Sequence, residues 1–363
     1  MKKRVLFLAN NAGGLYDFRN ELLLRLLEEY EVHVSLPDED DVPEIAEEGC
    51  VVHHTFLERR GMNPVKDGKL LLQYLKLLRK VKPDVVLTYT IKPNIYGSLS
   101  CRLLRIPYIV NITGLGSAFE NGGMLRRLVV FLYKIALKKA RCVFFQNAAN
   151  KEIFAGFGIG GKKTRLIPGS GVNLTKHGFR EYPQECEPVR FLFVGRIMKE
   201  KGIDELLYAA EKIHQEYPDV IFELAGGYED DYKALIEEKE QAGIVCFLGY
   251  QKDIDPFYGR ASAVVMPSYH EGMSNVILEA AATGRPVLAS DIPGCREGFE
   301  DGVTGMGFVP RDCQAFYEAV KRFMNLSYEE RKAMGQAGRR KIEREFDRQI
   351  VVESYIEEIE EII

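Results

Sequence analysis

The sequence predicts an α/β protein built from two Rossmann-like domains, each a parallel sheet covered by helices. Three observations lead there. The chain has 363 residues, more than one compact core usually covers. Short β-branched or aromatic runs alternate with longer segments of helical period from end to end, the pattern of βαβ units. Charge also divides the chain: residues 1–180 carry 28 basic and 17 acidic side chains, net +11, whereas the remainder carries 21 and 36, net −15.

The elements follow in order. The first series of apolar runs lies at 5–9, 32–36, 85–89, 108–112, 143–146 and 165–167, with a helix over 15–29 after the glycines Gly13 and Gly14. The second series restarts at 190–194 and continues at 220–225, 245–248, 263–267, 286–290 and near Phe308, with helical periods over 204–217 and 231–242. No apolar periodicity survives 169–188, where Pro183 and Pro188 interrupt a polar stretch, so the boundary falls there. The expected domains are residues 1–175 and 188–346. Residues 347–363 carry a helical stripe of Ile350, Val351, Tyr355 and Ile359, expected to pack back on the first domain. Ligands of such sheets sit beyond the carboxyl ends of the strands, so both domains are expected to face one ligand across a cleft.

Composition narrows the class. With 46% hydrophobic and 28% charged residues, the chain is neither disordered nor collagen-like. No run of about 18 apolar residues occurs, and Met1-Lys2-Lys3-Arg4 followed by a short apolar run is too brief for a signal peptide. Seven scattered cysteines, never spaced C-x2-C, suggest neither disulfides nor a zinc cage, and read as a reduced, cytosolic protein.

Chemistry concentrates in a few segments. Pro267 to Ala280 leaves a strand, turns at Gly272 and starts a helix that Ser274 or Asn275 caps, which offers free backbone N–H groups and a partial positive charge to phosphate oxygens. Glu271 and Glu279 place two carboxylates beside that anion site; spacing alone leaves open a surface Glu279 and a capping Glu271. Gly195-Arg196, with Lys201 five residues on, directly follows a strand. Arg196 offers a fork and Lys201 a point charge to a diphosphate, against the alternative of a solvated turn. Gly13-Gly14 is a tight βα turn without the third glycine and acid of a dinucleotide fingerprint. Asp253-Ile254-Asp255 spells D-x-D but precedes Pro256, so a helix cap is the better reading.

Together these segments resemble the retaining nucleotide-sugar glycosyltransferases of the GT-B fold, the family 4 enzymes with an E-x7-E motif. Glu271 and Glu279 match that motif, Gly195-Arg196 with Lys201 its diphosphate site, Gly13-Gly14 its N-terminal glycine loop, and Pro293-Gly294-Cys295-Arg296-Glu297 its following loop. Tyr16-Asp17-Phe18-Arg19, Lys92-Pro93-Asn94 and Thr113-Gly114-Leu115-Gly116 are similar to bacterial members that build capsular, O-antigen or carrier-linked oligosaccharides on polyprenyl diphosphate.

The resemblance implies roles. Arg196, Lys201, the amide of Gly14 and the helix start at Gly272, Met273, Ser274 and Asn275 would hold the diphosphate of a UDP-linked donor without a metal or other cofactor. Glu271 would lie against the donor sugar and Glu279 would hold the ribose hydroxyls. The base would lie near Gly249-Tyr250-Gln251. On the acceptor side stand Arg19 and Thr113, the latter near the place where several relatives carry a histidine. Charge departing on the diphosphate needs fixed donors, and an acceptor attacking from the leaving-group face passes its proton to the departing phosphate, so no protein base is required.

One further segment points to a membrane. Residues 124–141 combine Leu125, Leu128, Phe131 and Ile135 with Arg126, Arg127, Lys134 and Lys138, and hold no acid; from Arg59 to Arg180 there are 23 basic residues against Asp67, Asp84, Glu120 and Glu152. An anionic bilayer on the inner face of the cell membrane suits this segment, the alternative being an ordinary sheet-covering helix. No aromatic interleaving marks a nucleic-acid surface. A sugar-nucleotide epimerase, a phosphorylase and a non-catalytic binding subunit remain alternatives on the same fold.

Overall fold

The computed structural model describes residues 2–37, 42–58, 63–115 and 123–363. Arg59, Gly116 and Glu120 lie outside the described residues. The chain divides into two units, Met1–Ser170 with Arg348–Ile363, and Gly171–Asp347.

The first unit holds a seven-stranded sheet of β1 (Arg4–Leu8), β2 (Glu31–Pro37), β3 (Val51–Thr55), β4 (Val85–Tyr89), β5 (Tyr108–Ile112), β6 (Cys142–Phe145) and β7 (Lys163–Leu166). Their order is β3-β2-β1-β4-β5-β6-β7, and every neighbouring pair is parallel. β4 and β5 are buried along their whole length, which explains their unbroken apolar runs. The edge strand β7 is mostly exposed and reads polar, and the edge strand β3 buries only Thr55 fully. His53 and His54 sit in β3.

Both faces of this sheet are covered. Leu22 and Leu26 of helix Ala12–Glu29 and Tyr355 and Ile359 of helix Arg348–Glu360 share a core with Phe7, Leu87 and Phe144. On the other face Leu70, Tyr74 and Tyr133 pack with Leu6, Val86 and Val110. The last helix is held at both ends. Arg348 Nη1 lies 2.9 Å from Glu21 Oε2, and the buried carboxylate of Glu358 receives Lys163 at 2.6 Å and Arg165 at 3.0 Å from edge strand β7. A carboxylate buried this deeply requires such partners.

The second unit holds β8 (Arg190–Val194), β9 (Ile221–Ala225), β10 (Val245–Gly249), β11 (Ala263–Met266), β12 (Val287–Ser290) and β13 (Gly305–Phe308), in the order β10-β9-β8-β11-β12-β13. All pairs are again parallel. Helices Ile203–Glu216 and Cys313–Met324 bury Leu206, Ile213, Phe316 and Phe323 against Phe191, Phe193 and Phe222. The chain enters this unit at Gly171, and the irregular stretch after it is packed against the unit. Val172 donates to the Phe346 carbonyl at 2.8 Å, and the wholly buried guanidinium of Arg285 donates to the carbonyls of Arg180, Glu181 and Tyr258. Carbonyl contacts of this kind leave no apolar period in the sequence.

Candidate active site

Each sheet reverses its strand order once, between β1 and β4 in the first unit and between β8 and β11 in the second. Ligands of open parallel sheets bind beyond the strand ends at such a point. In the second unit the loops leaving that point carry the paired carboxylates and cations. The loop after β8 runs through Arg196 to the turn Lys199–Lys201, and the loop after β11 runs to helix Asn275–Ala282.

These loops touch through their backbones. Gly202, at φ +73°, would carry a Cβ 2.1 Å from the Pro267 carbonyl oxygen, so the approach requires glycine. Gly294, at φ +87°, would place a Cβ 2.5 Å from the Glu271 carbonyl oxygen, and its own carbonyl accepts from the Ser274 amide at 2.7 Å. Two glycines thus hold three loops around Glu271.

Lys201 Nζ lies 2.5 Å from Glu271 Oε1, with both side chains more than four-fifths buried. Arg196 points to Glu229 at 3.5 Å and is more than half exposed. Behind Glu271, burial pushes the Cys295 thiol well above its ordinary range; the charge of Glu271 adds to this and that of Lys201 opposes it. Cys295 is therefore an inert packing group. Ser274 occupies the cap position of helix Asn275–Ala282 without a side-chain cap bond, and the buried Oδ1 of Asn275 accepts no hydrogen bond. The N–H groups of that first turn point outward from the helix start, where an anion is favoured.

Glu279 stands on the same helix. Its Oε2 accepts from the Tyr258 hydroxyl at 2.9 Å. Burial and the Glu279 charge hold the Tyr258 pKa well above its usual value, so Tyr258 stays a donor. His177 Nε2 is 4.0 Å from Glu279 Oε1, and His177 Nδ1 is 2.6 Å from Asp255 Oδ1. His177, Asp255 and Tyr258 were missed in the sequence, since no local spacing links them; the weak signal was Asp255 at a helix start. Asp253 accepts from the Asp255 amide at 3.1 Å, a turn at the start of helix Asp255–Arg260.

Several expected site residues are placed otherwise. Gly14 lies in the first turn of helix Ala12–Glu29, and its amide is given to the capping Asn11 Oδ1, so it is not open to a phosphate. The Gly195 amide is likewise taken by the Ala225 carbonyl at 2.9 Å. Met273 turns its side chain into a core with Val172, Leu278 and Ile342, which leaves only its backbone for a ligand. Tyr250 is 80% exposed beyond β10, and Gly272 is half-buried between Glu271 and the helix start.

In the first unit Arg19, expected on the acceptor side, is buried, and its guanidinium lies 5.6 and 5.7 Å from the ring centroids of Tyr89 and Tyr355, in cation–π contact. Thr113 follows β5 and is half-buried. Lys92 pairs with the buried Asp67 at 3.0 Å, and Asn94 is buried with its amide on the Asn111 carbonyl at 2.7 Å, so both serve the core.

Comparison with known proteins gives the family and the fold. Residues 4–147 match the model of the glycosyl transferase 4-like family, and residues 179–341 that of the glycosyl transferases group 1. The N,N'-diacetylbacillosaminyl-diphospho-undecaprenol alpha-1,3-N-acetylgalactosaminyltransferase of Campylobacter jejuni is 27% identical over 87% of this chain and 88% of its own. The UDP-Gal:alpha-D-GlcNAc-diphosphoundecaprenol alpha-1,3-galactosyltransferase of Escherichia coli is 28% identical over 72% of each chain. In fold the chain is similar to sucrose-phosphate synthase from Thermosynechococcus elongatus, with TM-score 0.81, 18% identity and 99% of both chains covered. It is also similar to Anabaena HepE solved with UDP and glucose, with TM-score 0.80, 18% identity, and 99% of this chain and 100% of that one covered.

Proposed function

This chain is a glycosyltransferase and belongs to the family with a 4-like N-terminal half and a group 1 C-terminal half; from that premise we propose its donor, acceptor and mechanism. It moves a hexose or N-acetylhexosamine from a UDP-linked donor to a glycan on polyprenyl diphosphate, with retention, in the synthesis of a bacterial surface polysaccharide. The observation that carries the reading is the meeting of Lys201 and Glu271 at the strand reversal of the second sheet, beside Arg196 and an open helix start.

The chemistry follows from charge. As the sugar leaves, negative charge grows on the diphosphate, and donors fixed there lower the barrier. Arg196, Lys201 and the first-turn amides of helix Asn275–Ala282 supply them. Lys201 is already held by Glu271, so it meets the diphosphate without a search through rotamers. Glu271 faces the sugar, and Glu279 accepts from the ribose hydroxyls. The acceptor hydroxyl attacks on the leaving-group face and its proton goes to the departing phosphate oxygen. Relatives named for undecaprenyl-diphosphate glycans and for UDP-Gal support the choice of acceptor and nucleotide.

Helix Gly123–Leu137 supports a peripheral membrane location on the cytoplasmic face. Met124, Leu128, Phe131 and Ile135 form an exposed stripe. Beside it a cavity of about 540 Å³ is lined by Arg126, Arg127, Lys134, Val130, Phe131 and Phe157. No helix among the described residues is long and apolar enough to cross a membrane.

The test is transfer from UDP-Gal, UDP-GalNAc, UDP-Glc and UDP-GlcNAc to a synthetic polyprenyl-diphosphate glycan, with the product read by mass and its anomeric configuration by NMR. An α-linked product from one of these α-linked donors is expected. Epimerised donor without acceptor, phosphorolysis, or donor binding with no turnover would each replace this reading.

A further inference from the structure

Glu279 has a neighbour that nothing in the local sequence announces. His177 lies in the irregular segment just after the chain enters the second unit, and is 4% exposed. Its Nδ1 is 2.6 Å from Asp255 Oδ1 and its Nε2 is 4.0 Å from Glu279 Oε1. Both ring nitrogens therefore face carboxylates, Asp255 at hydrogen-bond distance and Glu279 just beyond it. The frame around the ring is stiff. Arg339 Nη1 donates to the His177 carbonyl at 3.2 Å and to the Ala282 carbonyl at 2.7 Å, tying this segment to the end of the helix that carries Glu279. The Tyr258 ring stands edge-on at 6.4 Å, while its hydroxyl holds the other oxygen of Glu279 at 2.9 Å.

A carboxylate that is to accept from two adjacent hydroxyls must stay ionised and present fixed oxygens. Glu279 is more than four-fifths buried, where an ionised group needs compensation. Tyr258 supplies a neutral donor on one side, and His177 stands on the other. We infer that His177 is a positioning residue that holds Glu279 oriented toward the ribose of the nucleotide, with Asp255 fixing the ring. The inference rests on the reading of Glu279 as the ribose acceptor.

The experiment compares the affinity of UDP with that of 2′-deoxy-UDP and 3′-deoxy-UDP by calorimetry, on protein that keeps the wild-type unfolding midpoint. Wild type is expected to bind UDP about tenfold or more tightly than the deoxy compounds, since a hydrogen bond to a charged group is lost. Glu279→Gln brings that ratio to within about threefold. His177→Asn keeps a donor toward Asp255 but cannot reach Glu279, and brings the ratio down likewise, while affinity for the deoxy compounds stays near wild type. His177→Gln keeps a donor toward Glu279 and retains most of the ratio. A structural role for His177 would lower all affinities together and leave the ratio unchanged. Should wild type show no ratio, or Glu279→Gln keep it, the reading of Glu279 fails and the inference with it. Should Glu279→Gln lose the ratio while His177→Asn keeps it, or should His177→Gln lose it, the inference alone is overturned; either His177 variant decides if the other does not fold.

Discussion

Lys201 Nζ stands 2.5 Å from Glu271 Oε1 and so joins the loop after β8 to the loop after β11, across the reversal of strand order in the second sheet. The opposite charges of the two side chains offset each other in a largely buried place.

A double-mutant cycle measures that contact. Lys201→Ala leaves Glu271 without its cation and is expected to lower stability to urea by about 1–3 kcal/mol. The double variant with Glu271→Ala should cost less than the sum of the singles, with a coupling of about 0.5–3 kcal/mol. Strict additivity would mean that the pair is not formed in solution.

Gly202 and Gly243 share φ +73°, yet a Cβ would meet the Pro267 carbonyl oxygen at 2.1 Å in the first and nothing within 4 Å in the second. Gly243→Ala should cost about 1–2 kcal/mol for the backbone conformation alone. Gly202→Ala should cost distinctly more and also weaken nucleotide binding, because the loop carrying Glu271 must move. Equal losses in urea unfolding would contradict the close approach of these loops.

In the first unit His33 Nδ1 and His53 Nε2 lie 3.0 Å apart with stacked rings. Burial is the main cause that lowers both pKa values, with Glu31 opposing it at His33 and the His33 charge adding to it at His53. A folded pKa below the unfolded value of about 6.5 means that the unfolded chain binds more protons in acid. Stability is therefore fully present above pH ~6.5 and is lost as pH falls from there through the lower folded pKa values. The urea midpoint should drop between about pH 7.5 and 5.5, and the drop should be smaller in His53→Asn. An unchanged drop in that variant would rule the pair out as its source.

Helix Gly123–Leu137 should carry the membrane contact. Sedimentation with anionic vesicles is expected for wild type, to weaken with salt, and to be lost in the Leu128→Glu, Phe131→Glu variant, both positions being exposed. Nucleotide binding should not change. Undiminished sedimentation of that variant would place the contact elsewhere.

The central strands were legible because strands buried on both faces read as unbroken apolar runs, whereas edge strand β3 buries only Thr55 fully and carries a pair of histidines. Of the site, the residues that follow strands closely were legible: Arg196, Lys201 and Glu271 lie in loops that leave β8 and β11. What surrounds them was not. Arg19 is expected on the acceptor side, and its enclosure by Tyr89 and Tyr355 from distant segments has no local signal. Gly14 looks like an open phosphate turn, but Asn11 uses its amide as a cap. His177 is 78 residues from Asp255, and no periodicity bridges such a distance.

The second unit should bind the diphosphate of the donor through Arg196 and Lys201. Calorimetric titration of UDP into wild type and into the Arg196→Ala, Lys201→Ala variant tests it most directly. Binding to wild type should be the same with and without EDTA, and affinity should fall by about 30-fold or more when both charge-assisted contacts are gone. Wild-type affinity in a folded double variant would contradict it.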